Sequence, residues 1–234
     1  MLSMSLSAPI GAALAAMPFF AGLDAAALDR VVDGTRVRRF RRGEVIFHAG
    51  DPGDALFVIV SGAVKITLPS ETGDEAILAT LQAGDVFGEL ALLDGAPRSA
   101  SATAIEATET MVLQRDRFRQ LLTTEPTIRD ALLAALASEV RRLTTQVEDL
   151  HFLDVTGRLA KCLVRLAGEG TRDATGQRRL RGPLSQSDLA AMVGCTRQSV
   201  NRVIGQFTDD GLIRVERDSI VVVDFEGLQR AARR

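Results

Sequence analysis

The segment LSQSDLAAMVGCTRQSVNRVIGQF, residues 184–207, contains two short stretches of helical periodicity separated by a glycine, Gly194. Ser185 stands where the N-cap of the first helix is expected, and Thr196 begins the second helix. The apolar residues that recur on the inner faces are Leu189, Met192, Val193, Val200, Val203, Ile204 and Phe207. Two short helices joined by a turn that contains glycine are typical of the helix-turn-helix motif.

The outer side of the second helix carries side chains that suit the edges of base pairs, namely Arg197, Gln198, Asn201 and Arg202. Arg197 and Arg202 lie on adjoining turns, where each guanidinium can donate two hydrogen bonds to a guanine. Ser185 and Thr196, at the helix N-termini, are expected to contact phosphates, and Gln186 completes the predicted contact set. The segment therefore predicts binding to duplex DNA.

Flanking segments extend this motif into a winged helix. Asp154 precedes the helical pattern VTGRLAKCLVRLAG as an N-cap, and Gly168 ends it. Residues 169–182 are polar, basic and rich in glycine, which predicts a loop or hairpin. After the second helix, a two-stranded ribbon with its turn near Arg217–Asp218 completes a predicted DNA-binding domain at 152–234.

The charge distribution agrees with a division into two domains, which the length of 234 residues also favours. Residues 1–150 carry 14 basic and 20 acidic side chains, a net charge of −6, whereas residues 151–234 carry 14 and 10, a net charge of +4. The basic C-terminal third can attract a polyanion. Tryptophan and tyrosine are absent and aromatic residues make up 4% of the chain, so base-stacking platforms for single strands are scarce. Duplex DNA is the favoured partner.

Composition argues against several other classes. Two cysteines, Cys162 and Cys195, are too few for a disulfide framework, and both are predicted to be buried thiols. No apolar run approaches the roughly 20 residues that span a bilayer. No basic residue precedes Arg30, so no membrane association and a cytoplasmic location are expected. His48 and His151 lack metal-ligand spacing, and no nucleophile–base set is recognisable, so an enzyme is not expected.

The N-terminal part of the chain shows a different pattern. A short leading helix is predicted within residues 18–33. From residue 34 onward, glycines separate short β-branched stretches such as EVIF, ALFVIV, AVKITL and EAILATL. This spacing predicts many short strands that form a β-roll of jelly-roll type, in a domain at 18–125. Together with the C-terminal helices, it defines an α+β fold.

A long dimerisation helix is predicted at 126–151, because residues 128–150 contain neither glycine nor proline. Its apolar residues are spaced 4, 3, 4 and 3 apart, at Leu136, Val140, Leu143, Val147 and Leu150. This narrow stripe is typical of a coiled-coil seam and predicts a homodimer through residues 128–150. The alternative is a helix packed against its own domain. A hinge is expected at 151–154.

Three motifs together resemble the family of bacterial transcription factors that includes the cyclic AMP receptor protein and the fumarate-nitrate regulator. FGELALLDGAPRSASA is similar to the family's phosphate-binding cassette, FLDVTGRLAKCL to its hinge and first DNA-domain helix, and VGCTRQSVNRVI to its turn and recognition helix. The resemblance extends from about Phe19 to Val223. It implies a homodimeric transcription regulator in which a cyclic nucleotide shifts the population of helix and hinge arrangements.

The cassette also satisfies the chemistry of a cyclic nucleotide. A phosphate inside an apolar barrel needs a fixed counter-charge, which Arg98 would supply, with Ser99 as a hydroxyl donor. Gly88 would allow close backbone approach, and Glu89 would accept a hydrogen bond from the ribose hydroxyl. Leu90 begins a helix of one or two turns whose N-terminal amides would face the anion. The alternative is a structural Glu89–Arg98 ion pair without a ligand.

The resemblance also implies how the base and the operator are recognised. The family's base-contacting Thr-Ser pair corresponds to Leu143 and Thr144, of which only Thr144 has a hydroxyl, and Thr145 is a substitute. Cyclic AMP is the first choice of ligand, and cyclic GMP or a cyclic dinucleotide stays open. The two guanine-reading arginines of the family are matched, but Gln198 replaces a glutamate that accepts from cytosine. A TGTGA-like palindrome with altered preference at one base pair is therefore predicted.

Regulators of this kind also contact RNA polymerase, and the basic strand at 36–42 and the loop at 169–182 are candidate surfaces. Three alternatives stay open. The chain could bind DNA independently of any ligand. It could sense redox state or a gas, although the first 150 residues contain no cysteine. It could also be a cyclic-nucleotide module without a DNA-binding role, which would leave residues 185–223 unexplained.

Overall fold

The computed structural model describes residues 17, 20, 23–70, 75–168, 170–174, 176–180, 185–216 and 219–233. The chain forms two compact units, Met1–Val140 and Arg141–Arg234, so their boundary falls within the long helix. The division of the sequence at 18–125, 126–151 and 152–234 stays a prediction. Over the described residues, no helix combines the length and the apolar character that crossing a membrane requires.

Strands dominate the first unit, and four of them coincide with the predicted stretches EVIF, ALFVIV, AVKITL and EAILATL. The strands are β1 (Thr35–Phe40), β2 (Val45–Phe47), β3 (Ala55–Ser61), β4 (Ala63–Pro69), β5 (Glu75–Gln82), β6 (Val86–Phe87), β7 (Ser101–Ala104) and β8 (Thr108–Gln114). The helices are α1 (Ala25–Asp33), α2 (Leu90–Asp94), α3 (Arg115–Thr124) and the beginning of α4 (Pro126–Phe152).

In the described part of this unit, two four-stranded antiparallel sheets form the β-roll, with strand orders β1-β8-β3-β6 and β2-β7-β4-β5. Strand β3 is buried on both faces. Phe57 and Ile59 point into a core shared with the second sheet, whereas Leu56 and Val58 point towards helices α1, α3 and α4. Because successive side chains of a strand alternate between its faces, the unbroken apolar run ALFVIV accounts for this central position.

The leading helix lies within the predicted segment 18–33. Helix α1 begins at Ala25 because the Asp24 carboxylate accepts a hydrogen bond from the Ala27 amide at 2.7 Å and caps the helix there. Of the predicted helix at 18–33, residues 18, 19, 21 and 22 lie outside the described residues.

Helix α4 runs from Pro126 to Phe152. Its first turns pack within the first unit, where Ile128 and Leu132 are buried in the core. The later apolar stripe is exposed, with accessible fractions of 63% for Val140, 40% for Leu143, 54% for Val147 and 57% for Leu150. This exposure argues against the alternative in which the whole helix packs on its own domain. Pairing with a second copy of the chain stays a prediction.

The second unit is a winged helix. Its elements are the end of α4, then α5 (Val155–Gly168), β9 (Thr171–Arg172), β10 (Arg178–Arg179), α6 (Gln186–Val193), α7 (Arg197–Asp209), β11 (Ile213–Glu216), β12 (Ser219–Val222) and α8 (Phe225–Ala231). The sheet order is β11-β12-β10-β9, so the predicted loop at 169–182 contains a short hairpin that extends the wing. The predicted turn at 217–218 lies outside the described residues.

Two local predictions about this unit can be compared with the structure. Asp154 caps α5 as expected, since its carboxylate accepts a hydrogen bond from the Gly157 amide at 2.7 Å. The thiols are half-buried rather than buried, because Cys162 and Cys195 lie at the edge of the apolar core. Cys195 also lies in the turn between α6 and α7 and not within a helix, and burial raises the pKa of its thiol.

Candidate functional site

One buried guanidinium organises the predicted cassette. Arg98 lies in the loop between α2 and β7, and 5% of its surface is accessible. Its backbone amide donates to the Asp51 carbonyl at 2.9 Å, and its own carbonyl accepts from the Gly50 amide at 2.8 Å. These two bonds fasten the cassette loop to the turn after β2, so the Arg98 side chain enters the β-roll from a fixed backbone.

Two carbonyl groups hold the guanidinium in place. Nη1 of Arg98 donates to the Gly88 carbonyl and Nη2 donates to the Ala55 carbonyl, each at 2.6 Å. Its Cζ atom lies over the ring of Phe47, 4.3 Å from the centroid. The Nε atom is buried and has no hydrogen-bond partner among the described residues. An unpaired buried donor on a cation is costly, and an anionic oxygen is the group that would satisfy it best.

Two glycines leave room for this side chain. Gly88 has a φ of 82°, a left-handed conformation that favours glycine, and a Cβ there would lie 2.6 Å from Arg98 Nη1. At Gly53, a Cβ would lie 2.4 Å from the Ala91 Cβ and 3.1 Å from Arg98 Nε. Gly53 was missed by sequence reasoning, because one glycine among many regularly spaced glycines is too general a signal to single it out.

The charge of Arg98 is balanced only from a distance. Burial lowers the pKa of the guanidinium, and the carboxylates of Asp54 and Glu89 oppose this shift. Since arginine stays protonated in proteins, the β-roll contains a buried positive charge. Within the described residues, Glu89 acts on Arg98 through its charge and not through a close ion pair. The structural alternative, a Glu89–Arg98 pair, is therefore not what the fold forms.

Glu89 is half-buried and comes directly before α2. Burial raises the pKa of its carboxyl, and the negative charge of Glu139 adds to this effect, while a hydrogen bond from the backbone and the charge of Arg98 oppose it. Ser99 and Leu90 are both exposed. The fold thus brings Gly88, Glu89 and Arg98 together, and it leaves Ser99 and Leu90 at the surface beside them.

The predicted base-contacting hydroxyls belong to the other unit. Thr144 and Thr145 lie on exposed positions of α4, beyond the boundary at Val140. Their contact with a nucleotide base stays a prediction.

The helix-turn-helix has the predicted geometry. Gly194 ends α6 in a left-handed conformation, with a φ of 69°, and its amide donates to the Ala190 carbonyl at 2.9 Å. Thr196 then caps α7, since its hydroxyl accepts a hydrogen bond from the Ser199 amide at 3.2 Å. The predicted inner residues Val200, Val203, Ile204 and Phe207 are buried in the core of the second unit.

The predicted DNA-contacting side chains of α7 share one exposed surface. Arg197, Gln198, Asn201 and Arg202 are all exposed. Neither guanidinium has a hydrogen-bond or ion-pair partner in the part of the chain that the structure describes. Asn201, by contrast, is hydrogen-bonded to the neighbouring helix α6, because its Nδ2 donates to the Gln186 Oε1 at 3.1 Å.

Ser185 has a structural role beside its predicted one. Its hydroxyl accepts from the Asp188 amide at 3.0 Å and donates to the Asp188 carboxylate at 2.6 Å, and this carboxylate also accepts from the Ser185 amide at 3.0 Å. Such a capping box fixes the start of α6, where Gln186 is the first helical residue. The phosphate contacts of Ser185 and Thr196 stay predictions.

Arg158, which sequence reasoning missed, connects the hinge to the helix-turn-helix. Its Nη1 donates to the Leu153 carbonyl at 2.9 Å and its Nε donates to the Val193 carbonyl at 3.1 Å. One turn later, the Lys161 ammonium pairs with the Asp149 carboxylate at 2.6 Å. These contacts join the end of α4, the hinge and α6 within the second unit. The sequence displays the basic residues, but nothing in it indicates that carbonyl groups are the partners of Arg158.

Comparisons with known protein families agree with this architecture. A family model described as a cyclic nucleotide-binding domain matches residues 37–125. A second model, described as a Crp-like helix-turn-helix domain, matches residues 157–231. The two matches fall on the β-roll and on the winged helix.

Relatives match nearly the whole chain. The CRP-like cAMP-activated global transcriptional regulator of Mycobacterium tuberculosis is 36% identical, over 94% of this chain and 98% of its own. The cyclic AMP receptor protein of Thermus thermophilus is 33% identical, over 92% of this chain and 96% of its own. A solved structure of the c-di-GMP responsive global regulator CLP of Xanthomonas campestris has a TM-score of 0.76 and 26% identity, and covers 85% of this chain and 99% of that one.

A cyclic-nucleotide-binding β-roll and a winged helix on one chain define a class of DNA-binding transcription regulators, which are not enzymes. The chain belongs to the family of the cyclic AMP receptor protein and the fumarate-nitrate regulator. Both the family and the α+β fold class expected from the sequence are confirmed.

Proposed function

We propose that cyclic AMP is the ligand of the β-roll and that its binding raises the affinity of a homodimer for a TGTGA-like palindrome. The main observation in favour of a cyclic nucleotide in the β-roll is the buried Arg98 guanidinium with its unpaired Nε atom. Relatives named as cAMP-activated or as a cyclic AMP receptor support this ligand. The relative named as c-di-GMP responsive makes a cyclic dinucleotide the alternative, beside cyclic GMP.

In this proposal Arg98 binds the cyclic phosphate, and the phosphate offsets the cost of the buried positive charge. The exposed Ser99 hydroxyl donates to the same phosphate, and Gly88 and the start of the helix at Leu90 keep the backbone close to it. Glu89 accepts a hydrogen bond from the ribose hydroxyl. Thr144, or Thr145 in its place, contacts the base.

The homodimer forms through residues 128–150. The exposed stripe on α4 supports this assignment, because its members Val140, Leu143, Val147 and Leu150 are all at least 40% accessible in the single chain. Fully burying an aliphatic side chain of this size contributes about 1.5–3 kcal/mol, so the seam can hold two copies together. Ligand binding shifts the arrangement of this helix pair and of the hinge at 151–154, with a coupling of about 1–3 kcal/mol.

Each copy of α7 reads one half-site, and the two half-sites are about 34 Å apart, which is one turn of DNA. Arg197 and Arg202 contact guanines, and Gln198 relaxes the preference at one base pair. Ser185 and Thr196 contact phosphates near the helix N-termini. RNA polymerase is the further partner, with the strand at 36–42 or the hairpin segment at 169–182 as its contact, and the protein acts in the cytoplasm.

Fluorescence anisotropy on a labelled TGTGA palindrome at fixed salt tests the proposal. The affinity of the purified protein is measured without ligand and with cyclic AMP, cyclic GMP or cyclic di-GMP. Cyclic AMP alone is expected to tighten binding by ten-fold or more. High affinity that no nucleotide changes would identify a ligand-independent DNA binder, and tightening by cyclic di-GMP alone would overturn the choice of cyclic AMP.

A further inference from the structure

Among the exposed side chains of α7 that are predicted to read bases, Asn201 is the one that is held before DNA binds within the described residues, through its bond to Gln186. Asn201 Nδ2 donates to Gln186 Oε1 at 3.1 Å, and this bond crosses from α7 to α6. Gln186 is itself half-buried at the first position of α6, next to the capping box of Ser185 and Asp188. A chain of contacts therefore runs from a rigid helix start to one exposed amide on the outer face of α7.

The remaining groups of Asn201 have the pattern that adenine requires. After the bond to Gln186, the Asn201 amide keeps one N–H donor and its Oδ1 acceptor. In the major groove, adenine presents its N7 acceptor and its N6 donor side by side, and asparagine pairs with both. A guanine offers two acceptors there and would leave Oδ1 without a donor.

The position on α7 separates Asn201 from the two arginines. Residues four apart lie on the same side of a helix, so Arg197 and Asn201 form one row and Gln198 and Arg202 form the next. Asn201 lies one turn beyond Arg197 in its row, so it can reach a different base pair from Arg197. An exposed asparagine is normally free to change rotamer, and ordering it on binding has a cost that an existing hydrogen bond reduces.

We propose that Gln186 is a positioning residue that holds Asn201 for the recognition of an adenine in each half-site. This inference rests on the proposed function, because it requires that α7 lies in the major groove. It makes the preference for one A·T pair depend on a residue of the other helix, α6.

The test is a panel of labelled duplexes derived from the TGTGA palindrome. Each base pair of the half-site, and the one flanking it on either side, is changed symmetrically to the other three. Affinity is measured for the unaltered protein and for Asn201→Ala, Gln186→Leu and the double variant. Gln206→Leu is the matched control, because Gln206 is exposed further along α7, and Arg202→Ala reports on the guanine contact.

The unaltered protein is expected to prefer A·T at one position by about ten-fold. Asn201→Ala and Gln186→Leu should both weaken this preference at that position and leave the others unchanged, and the double variant should behave like Asn201→Ala alone. Gln206→Leu should have no effect on any position. The slope of affinity against salt should be the same for Gln186→Leu as for the unaltered protein, because no phosphate contact is removed.

Three other results would overturn the inference. If Gln186→Leu weakens binding equally at every position and lowers the salt slope by about 1, Gln186 contacts a phosphate instead. If Arg202→Ala changes the base preference but Gln186→Leu does not, the pair has no part in recognition while the proposed function stands. If the unaltered protein shows no base preference at all, the proposed function fails and this inference fails with it.

Discussion

The same guanidinium group occurs in opposite surroundings in the two units. Arg98 is 5% accessible and is held by the carbonyls of Gly88 and Ala55. Arg197 and Arg202 are exposed on α7 and have no partner in the described chain. A buried arginine is fixed by the fold before a ligand arrives, whereas an exposed arginine becomes ordered only when its target binds. In the first unit the proposed binding group is part of the core, and in the second unit the proposed binding groups lie on the surface above the core.

This difference predicts two kinds of response to substitution. Changes around Arg98 should alter stability and nucleotide binding together, because the hydrogen bonds that fix Arg98 in the fold also orient it for the proposed phosphate contact. Changes on the outer face of α7 should alter DNA binding and leave stability as it was.

Arg98→Ala should have the largest effect. Loss of a charge-assisted contact worth about 1.5–3 kcal/mol corresponds to a loss of roughly ten- to a hundred-fold in affinity for cyclic AMP, measured by calorimetry. Arg98→Lys, which keeps the charge but not the two-carbonyl geometry, should lose less. Arg39→Ala is the control, since the Arg39 side chain is 78% accessible. A folded Arg98→Ala protein that binds cyclic AMP as before would contradict the assignment of the phosphate to this residue.

Gly88→Ala should destabilise the first unit by about 2 kcal/mol, because a left-handed residue with a side chain costs about 1–2 kcal/mol and the new Cβ crowds a neighbour. That Cβ would lie 2.6 Å from Arg98 Nη1. Denaturant unfolding measures the change in stability, and calorimetry should show weaker nucleotide binding in the same variant. Unchanged stability would mean that the loop at Gly88 can rearrange freely, which would weaken the contrast between the two units.

The fold was largely predictable because its signals are local. Strands β2 to β5 follow from β-branched stretches between glycines, and α4 follows from a long segment without helix breakers. Helices α3 and α8 were missed because each has few large apolar residues. Their positions depend on distant contacts, as when Phe118 and Leu121 of α3 pack beneath the first sheet.

The site was predictable only where a residue stands out from its surroundings. Arg98 and Glu89 are charged residues in an apolar segment, so the sequence identifies them. Arg98 also donates to the Ala55 carbonyl, 43 positions away, and nothing in the sequence indicates this contact. Gly53 and Arg158 were missed for the same reason. Gly53 matters because other side chains pack close to it, and Arg158 matters because it donates to backbone carbonyls, and neither contact can be read from the sequence.

Arg202→Ala tests the exposed side of the comparison. Losing one arginine that binds guanine bidentately should lower operator affinity by about ten-fold and relax the preference at one base pair, measured by anisotropy on matched and mismatched duplexes. The midpoint of thermal unfolding and the affinity for cyclic AMP should stay the same. A lower midpoint of thermal unfolding would show that Arg202 stabilises the fold and is not only an exposed surface residue.

Glu89→Gln should change the pH dependence of stability. Burial raises the pKa of Glu89 above its ordinary value of 4.5, so the folded protein holds this proton more tightly than the unfolded chain does. Stability from this group is therefore present at low pH and is lost as the pH rises from 4.5 through the raised value. Unfolding measured across this window should show the unaltered protein losing stability relative to Glu89→Gln. The exposed Glu226→Gln serves as control, and parallel curves for all three proteins would contradict the prediction.

Gly205→Ala should have the smallest effect and the opposite sign to Gly88→Ala. Gly205 lies inside α7, and a Cβ there would meet no atom within 4 Å. Glycine within a helix costs about 0.5–1 kcal/mol relative to alanine, so the variant should be more stable by that amount and unfold about 2–4 °C higher for each kcal/mol gained. Calorimetry of the ligand-free protein measures this shift. A lower midpoint of thermal unfolding would mean that the outer face of α7 is packed as tightly as the surroundings of Arg98. The contrast between a buried site and an exposed one would then fail.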